Sequence, residues 1–374
     1  MTNQSGIPTL HLKTRDMFSV ENKQDQPRDT VQIIRWLPGA RSTIFACAGW
    51  DGKLRVYELV KKNYASAVEL RCCINLQAPV ISMEWCGERA LYAGTADSKI
   101  LEVDISNGKI NQFASPPSPV QEIKLMDDRT NPAVLFFHMD ERLTIFFPKA
   151  TNSNNRILDI KLQSRILCAD IQKETLIVAC ENMRILICKL KDIERTSSQS
   201  YLESPLGKDS KISHIVLRPD LNGFTVMSVD GRIAYCTMTG GSYSSTFNFK
   251  GDIVFRGFKA PGSNPNNKTH DTMSMPTGCQ FSTSNINVDA FLGSSSSGEL
   301  KIWDINLKQD LISYETEGRR DISAVRCNSD FTLCAMAIGY SWAQGVSGLA
   351  KIGFSPEILV FIVDEQALSV RRRN

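Results

Sequence analysis

A turn-and-strand unit recurs along this chain, and no other feature constrains its fold as strongly. Residues 49–59 read GWDGKLRVYEL, a tight polar turn followed by a strand that alternates apolar and charged side chains. Asp51 is followed six positions later by Tyr57. The layout returns as TADSKILEV (Asp97, Val103), HMDERLTIF (Asp140, Phe146) and ENMRILICKL (Asn182, Cys188). It returns again as SVDGRIAYC (Asp230, Cys236) and SSSSGELKIWD (Ser297, Trp303). Successive turns lie 46, 43, 42, 48 and 67 residues apart.

Each turn is preceded by a short apolar run: TIFACAG, ALYAGT, AVLFFH, TLIVAC, GFTVMSV and AFLGS. A further run stands before each of those: VQIIRW, VISMEW, VQEIKL, ILCADI, ISHIVL and GCQFS. A seventh unit follows with DISAVRC, TLCAMAIGY and EILVFIV. Helical periodicity is nearly absent, so α/β folds are set aside. Repeated units of three or four strands predict an all-β chain, a seven-bladed β-propeller over residues 30–366. One small twisted sheet cannot cover both of its faces, whereas stacked sheets bury each other's. The turn aspartates have a structural reason, since a short carboxylate ties down the free amides of a tight turn.

Residues 1–29 form an N-terminal extension in which TLHL is expected to supply an outer closing strand, because an open sheet edge is a liability. The charged stretch 15–29 after it reads as strand-breaking. The long 67-residue interval contains GFKAPGSNPNNKTHDTMSMPTG, a loop by composition. ERTSSQSYLESPLGKDSK joins the fourth and fifth units, and residues 367–374 form a basic tail.

Composition narrows the chemistry. The chain has 43 basic and 40 acidic residues, a net charge of +3, which argues against a protein that coats nucleic acid by charge alone. The apolar run ILVFIV is far shorter than the roughly 20 residues of a spanning helix, and the N-terminus lacks a signal-peptide core. A soluble, intracellular protein with no membrane insertion is expected. The 11 cysteines form no CxxC pair and do not cluster with His11, His138, His214 or His270, so packed, reduced thiols are expected rather than metal ligands. No P-loop, G-x-S-x-G, H-E-x-x-H or Rossmann glycine pattern occurs. His138 and Asp140 alternate along a strand, but a satisfied histidine explains them without catalysis. No enzyme activity, cofactor or metal is expected.

Binding suits a propeller better, because its loops and edges display side chains on a rigid frame. Aromatic anchors beside Arg or Lys are the usual makeup of interface hot spots. Trp50 precedes the first turn aspartate, and Arg232 follows Gly231 in the fifth unit. TFNFK places Phe247 and Phe249 on one side, with Lys250 just beyond; Phe247 reads as core. Trp303 and Lys308 flank IWDINLK, Trp303 at a position that propellers also use structurally.

Four ordered stretches carry a family resemblance: YLESPLGK (201–208), SVDGRIA (228–234), TFNFK (246–250) and AIGYSWAQG (337–345). Together they resemble the WD-repeat messenger-RNA export factors of the nuclear pore, over about residues 30 to 363. Units two and three lack the signature Trp, and Gly-His dipeptides are missing. Ala48-Gly49-Trp50-Asp51 is also similar to the mitotic-checkpoint WD-repeat protein, whereas Tyr340, Trp342 and Gly345 favour the export factors.

The resemblance implies a seven-bladed WD-repeat propeller acting as an adaptor at the nuclear pore, in the nucleus and nuclear envelope. It would be a monomer within a heteromeric complex that binds a GLEBS-type nucleoporin peptide. Arg232 would pair with acidic partner residues, and Trp50 would line the same face. Phe249, Trp303 and Lys308 would match a side pocket and its basic edge, Lys308 standing where the family commonly has arginine. A groove near Arg232 and Lys250 would touch RNA weakly and without sequence preference. The alternative is a spindle-checkpoint scaffold that binds GLEBS motifs of checkpoint kinases, in cytoplasm and spindle.

Overall fold

The computed structural model describes residues 9–62, 65–126, 132–148, 155–196, 201–207, 210–239, 247–258, 274–283, 287, 289–340, 346 and 356–369. Strands fill the chain in order. Two short ones come first, β1 (Leu10–His11) and β2 (Phe18–Ser19). The first sheet follows: β3 (Val31–Trp36), β4 (Ile44–Gly49), β5 (Lys53–Lys62) and β6 (Ala65–Asn75). The second holds β7 (Val80–Trp85), β8 (Ala90–Thr95), β9 (Ile100–Asp104) and β10 (Lys109–Ala114). The third holds β11 (Val120–Met126), β12 (Ala133–His138), β13 (Arg142–Phe147) and β14 (Arg156–Lys161).

The fourth sheet holds β15 (Ile166–Gln172), β16 (Thr175–Cys180), β17 (Arg184–Lys189) and β18 (Tyr201–Glu203). The fifth holds β19 (Ile212–Leu217), β20 (Gly223–Ser228), β21 (Arg232–Thr239) and β22 (Asn248–Arg256). The sixth holds β23 (Pro276–Phe281), β24 (Ala290–Ser295), β25 (Glu299–Asp304) and β26 (Gln309–Glu315). The seventh holds β27 (Asp321–Cys327), β28 (Leu333–Gly339) and β29 (Glu357–Ile362). Six sheets thus have four strands and one has five, once β1 and β2 are placed. This is the seven-bladed propeller organisation that the repeat predicts.

The chain divides into two compact units, Met1–Val80 with Phe258–Asn374, and Ile81–Gly257. In the first unit the N-terminal extension differs from expectation. Leu10–His11, from TLHL, runs parallel to β26 as a fifth strand of the sixth sheet. The outer strand of the seventh sheet comes instead from Phe18–Ser19, inside the stretch read as strand-breaking, where Phe18 pairs with Val360 and Ser19 with Leu359. Two residues suffice for this, because the phenyl ring of Phe18 packs against the core of Val360, Ile358 and Tyr57 and the charged neighbours stay in solvent.

Position within each sheet explains composition. The second strands β12, β16, β20 and β24 are buried at every residue. A strand covered on both faces has no polar side to alternate with, hence AVLFFH and TLIVAC. Outer strands such as β10 and β14 are mostly exposed and read KINQFA and RILDIK.

Two recurring devices were not visible in the sequence. Among the described pairings, the first two strands of six sheets slip register at the start of the inner strand, as between Val31 and Ile33, Val120 and Glu122, and Ile212 and His214. Such bulges sharpen strand twist. Side chains also tie the first strand of one sheet to that of the next. In the second unit Glu122 Oε2 accepts from the Ala169 amide at 2.8 Å, and Asp170 Oδ2 from the Leu217 amide at 2.9 Å. Lys124 Nζ stands 3.0 Å from Glu122 and 3.2 Å from Asp170, so neither carboxylate is left uncompensated. In the first unit Gln280 does the same work, accepting from the Cys327 amide at 2.8 Å.

Candidate partner-binding surface

The turns between the second and third strands carry Trp50 and the aspartates, and Arg232 opens the third strand of its sheet. Gly49 must lack a side chain, since a Cβ there would lie 2.1 Å from the Thr30 carbonyl oxygen. That close approach lets the Trp50 amide donate to Thr30 O at 3.0 Å. Asp51 accepts from the amides of Lys53 (3.1 Å) and Arg28 (3.2 Å) and pairs with buried Arg55 at 2.7 Å. Burial alone would push its carboxyl up. The Arg55 guanidinium and the two amides outweigh that and hold it below the usual carboxylate range. The Trp50 indole, 49 % exposed, therefore projects from a fixed backbone.

Three of the other turns in the second unit follow one rule, and the fourth, at Glu181–Met183, has Asn182 in place of the carboxylate. A carboxylate neutralises the cation two residues on: Asp97 with Lys99 at 2.6 Å, Asp140 with Arg142 at 2.7 Å, Asp230 with Arg232 at 2.7 Å. Asp230 also accepts from Ser210 Oγ at 3.0 Å and from Ser228 Oγ. The Arg232 side chain, 30 % exposed, donates from a terminal nitrogen to the Leu206 carbonyl at 2.9 Å. Ser204 Oγ shapes that segment by accepting from the Leu206 amide. YLESPLGK thus meets SVDGRIA through Arg232, one of whose N–H groups holds its own turn at Asp230 and another the Leu206 carbonyl.

Arg232 and Lys250 are not neighbours. Arg232 stands opposite Arg256, whereas Lys250 stands opposite Thr237. Five residues of β21 separate them, about 17 Å at 3.3 Å per residue. The single groove expected around both is therefore corrected: they mark opposite ends of one sheet. Phe249 is half-buried, edge-on to Phe224 at 5.0 Å. Phe247 is buried, with Lys189 Nζ 6.0 Å above its ring.

In the first unit Trp303 is 1 % exposed and packs against Phe258 at 5.4 Å and Phe291 at 6.0 Å. Its ring is core here and presents no face to a partner, so a contact role for the indole is corrected as well. Lys308 is exposed and holds φ +55 in the following turn, where the Leu307 amide donates to Asp304 at 2.8 Å. Leu307, missed in the sequence, is an exposed apolar side chain, 48 % exposed, next to Lys308. Tyr340 is buried, its carbonyl accepting from Thr30 Oγ at 3.0 Å. Trp342, Gly345 and Lys208 lie outside the described residues.

His138 is satisfied: Nε2 lies 2.9 Å from Thr144 Oγ1 and Nδ1 3.3 Å from the Ser118 carbonyl, with Asp140 engaged elsewhere by Arg142. Among the described residues no cluster of His, Cys, Asp or Glu could hold a metal ion, and no helix is long and apolar enough to cross a membrane. Burial pushes the thiols of Cys180, Cys188 and Cys236 up to about 12, where they stay protonated.

No family model matches the chain. Among curated proteins it is 24 % identical over 327 residues to mRNA export factor GLE2 of Chaetomium thermophilum, covering 86 % of this chain and 84 % of that one. It is 22 % identical over 368 residues to mRNA export factor rae-1 of Caenorhabditis elegans, covering 94 % and 90 %. The chain is similar to the WD-repeat mRNA export factors. A weaker likeness, 21 % over 323 residues, covering 84 % and 87 %, is to mitotic checkpoint protein bub-3 of Caenorhabditis elegans. Among solved structures, the β-propeller domain of Cps50 (Swd1) from Myceliophteria thermophila superposes with a TM-score of 0.62 at 12 % identity. That match covers 92 % of this chain and 99 % of the other, and it confirms the fold alone. The export-factor likeness runs along most of the chain, not one motif.

Proposed function

We propose that this chain is a non-enzymatic adaptor of mRNA export at the nuclear pore, located in the nucleus and at the nuclear envelope. It acts as a monomer inside a heteromeric complex, and its principal ligand is a GLEBS-type peptide of a nucleoporin. One observation carries the reading: likeness to mRNA export factors runs along 86 % and 94 % of the chain, in order and without a catalytic motif. The turns supply what a peptide adaptor needs. Trp50 is an indole anchor on a locked backbone, and the exposed part of the Arg232 guanidinium, beyond its bonds to Asp230 and Leu206, offers positive charge to an acidic partner. Leu307 with Lys308 adds a second apolar and basic contact. RNA binding is a minor, salt-sensitive activity.

Affinity purification of the tagged full-length chain from its own cells tests this. Recovery of a nucleoporin with a GLEBS segment, lost in Trp50→Ala, supports the adaptor role. Recovery of checkpoint kinases with no nucleoporin overturns it in favour of a spindle-checkpoint scaffold.

A further inference from the structure

The chain contains four Ser-Pro dipeptides, at 115–116, 118–119, 204–205 and 355–356, and no Thr-Pro. Proline-directed kinases recognise that dipeptide, but the structure treats the three described copies differently. Ser204 is 8 % exposed, and its hydroxyl oxygen accepts from the Leu206 amide at 3.3 Å. Ser118 is half-buried. Its carbonyl faces His138 Nδ1 at 3.3 Å, and the next carbonyl, of Pro119, accepts from the Met139 amide at 2.9 Å. Ser115 alone among them is exposed.

Ser115 sits in the connection between β10 and β11, just past the last paired residue of an outer strand. Its Oγ accepts from Gln112 Nε2 at 3.0 Å and the side chain is exposed. Pro116 and Pro117 follow, and neither has an amide hydrogen to tie the connection down. Both favour the extended backbone that a kinase cleft binds. The ladder places a receiver for the phosphate. Ala114, just before Ser115, ends the ladder opposite Ile100, just after Lys99, which puts a cation in the adjoining segment. Lys99 is exposed and held by Asp97 at 2.6 Å, a pair the more highly charged phosphate can compete for.

We propose that Ser115 is a phosphorylation site for a proline-directed serine kinase, and that its phosphate draws Lys99 away from Asp97. Ser115 Oγ attacks the γ-phosphorus of ATP. The new O–P bond forms as the bond to ADP breaks, and the hydroxyl proton passes to the kinase's carboxylate base. A negative group then stands at the end of the second sheet where one cation had been neutralised.

The test incubates the folded full-length chain with a proline-directed kinase and Mg-ATP, followed by intact-mass measurement and peptide mapping. One phosphate on Ser115 is expected, absent in Ser115→Ala, with Ser118 and Ser204 labelled at least about tenfold more slowly because each waits on local opening. A synthetic peptide of residues 108–124 should be labelled at both serines, showing that the fold makes the selection. Failure to label either folded chain or peptide overturns the site, as does equal labelling of Ser118 in the folded chain. Phosphorylation should raise Tm by about 1–2 °C in wild type and not in Lys99→Gln; equal shifts would remove Lys99 as receiver.

Discussion

Trp50 presents half of its indole to solvent while its neighbour Asp51 is engaged by Arg28, Lys53 and Arg55. Removing such a ring should cost binding without costing the fold. Trp50→Ala is expected to weaken a GLEBS-type peptide by about 2 kcal/mol or more in calorimetric titration, with Tm unchanged. Loss of Tm alongside affinity would make the indole structural. His214 is the opposite kind of residue. Its Nδ1 is sealed from solvent with no hydrogen-bond partner among the described residues. Burial pushes its pKa down to about 4, with Glu122 opposing and Lys124 adding to the shift. An unfolded histidine titrates near 6.5, so below that pH the unfolded chain binds a proton that the folded chain refuses. Stability should therefore fall as pH drops from about 6.5 toward about 4, and His214→Gln should flatten that slope in thermal scans. Parallel slopes would clear His214. At this scale the turn role of the aspartates was legible, because a carboxylate after a strand has few other uses. The cation two residues on was not read as its partner, since sequence shows a charge but not what it faces.

Strands and turns show where legibility stops. The apolar TLHL was easy to read as a strand, but which sheet it joins depends on long-range pairing with β26 that no local pattern encodes. Phe18–Ser19 was hidden because two residues carry no periodicity. Both cover sheet edges, so a chain beginning at Asn22 should expose β29 and β26 together. Loss of several degrees in Tm and a higher tendency to aggregate in light scattering are expected. An equally stable truncated chain would show that these strands are decoration. The Arg232 turn makes a different forecast. Arg232→Glu removes the bonds to Asp230 and Leu206 O and sets a second acid beside Asp230, so it should lose about 1–2 kcal/mol of stability as well as partner affinity. Arg232→Lys keeps the charge without the fork and should keep more of both. Unaltered peptide affinity in both variants would take Arg232 out of the interface.

Seven copies of one sheet plan were readable from spacing alone, because each sheet needs neighbours for both faces and so repeats its apolar runs. What repetition cannot convey is which ends of the strands the charges occupy, and this decides how the molecule meets a polyanion. Arg232 and Lys250 lie at opposite ends of the fifth sheet, and Lys99, Arg142 and Arg232 each already face a carboxylate. With a net charge of only +3, no continuous basic track is built from these residues. Each phosphate contact with a single strand contributes a slope of about −0.7 to log K against log salt. Two or three scattered contacts therefore predict a slope near −2 and affinity for an oligouridylate that fades between about 50 and 200 mM salt. Fluorescence anisotropy across that range reads the slope directly. A slope beyond about −4, or a preference among oligonucleotide sequences, would require a basic groove that these side chains do not form.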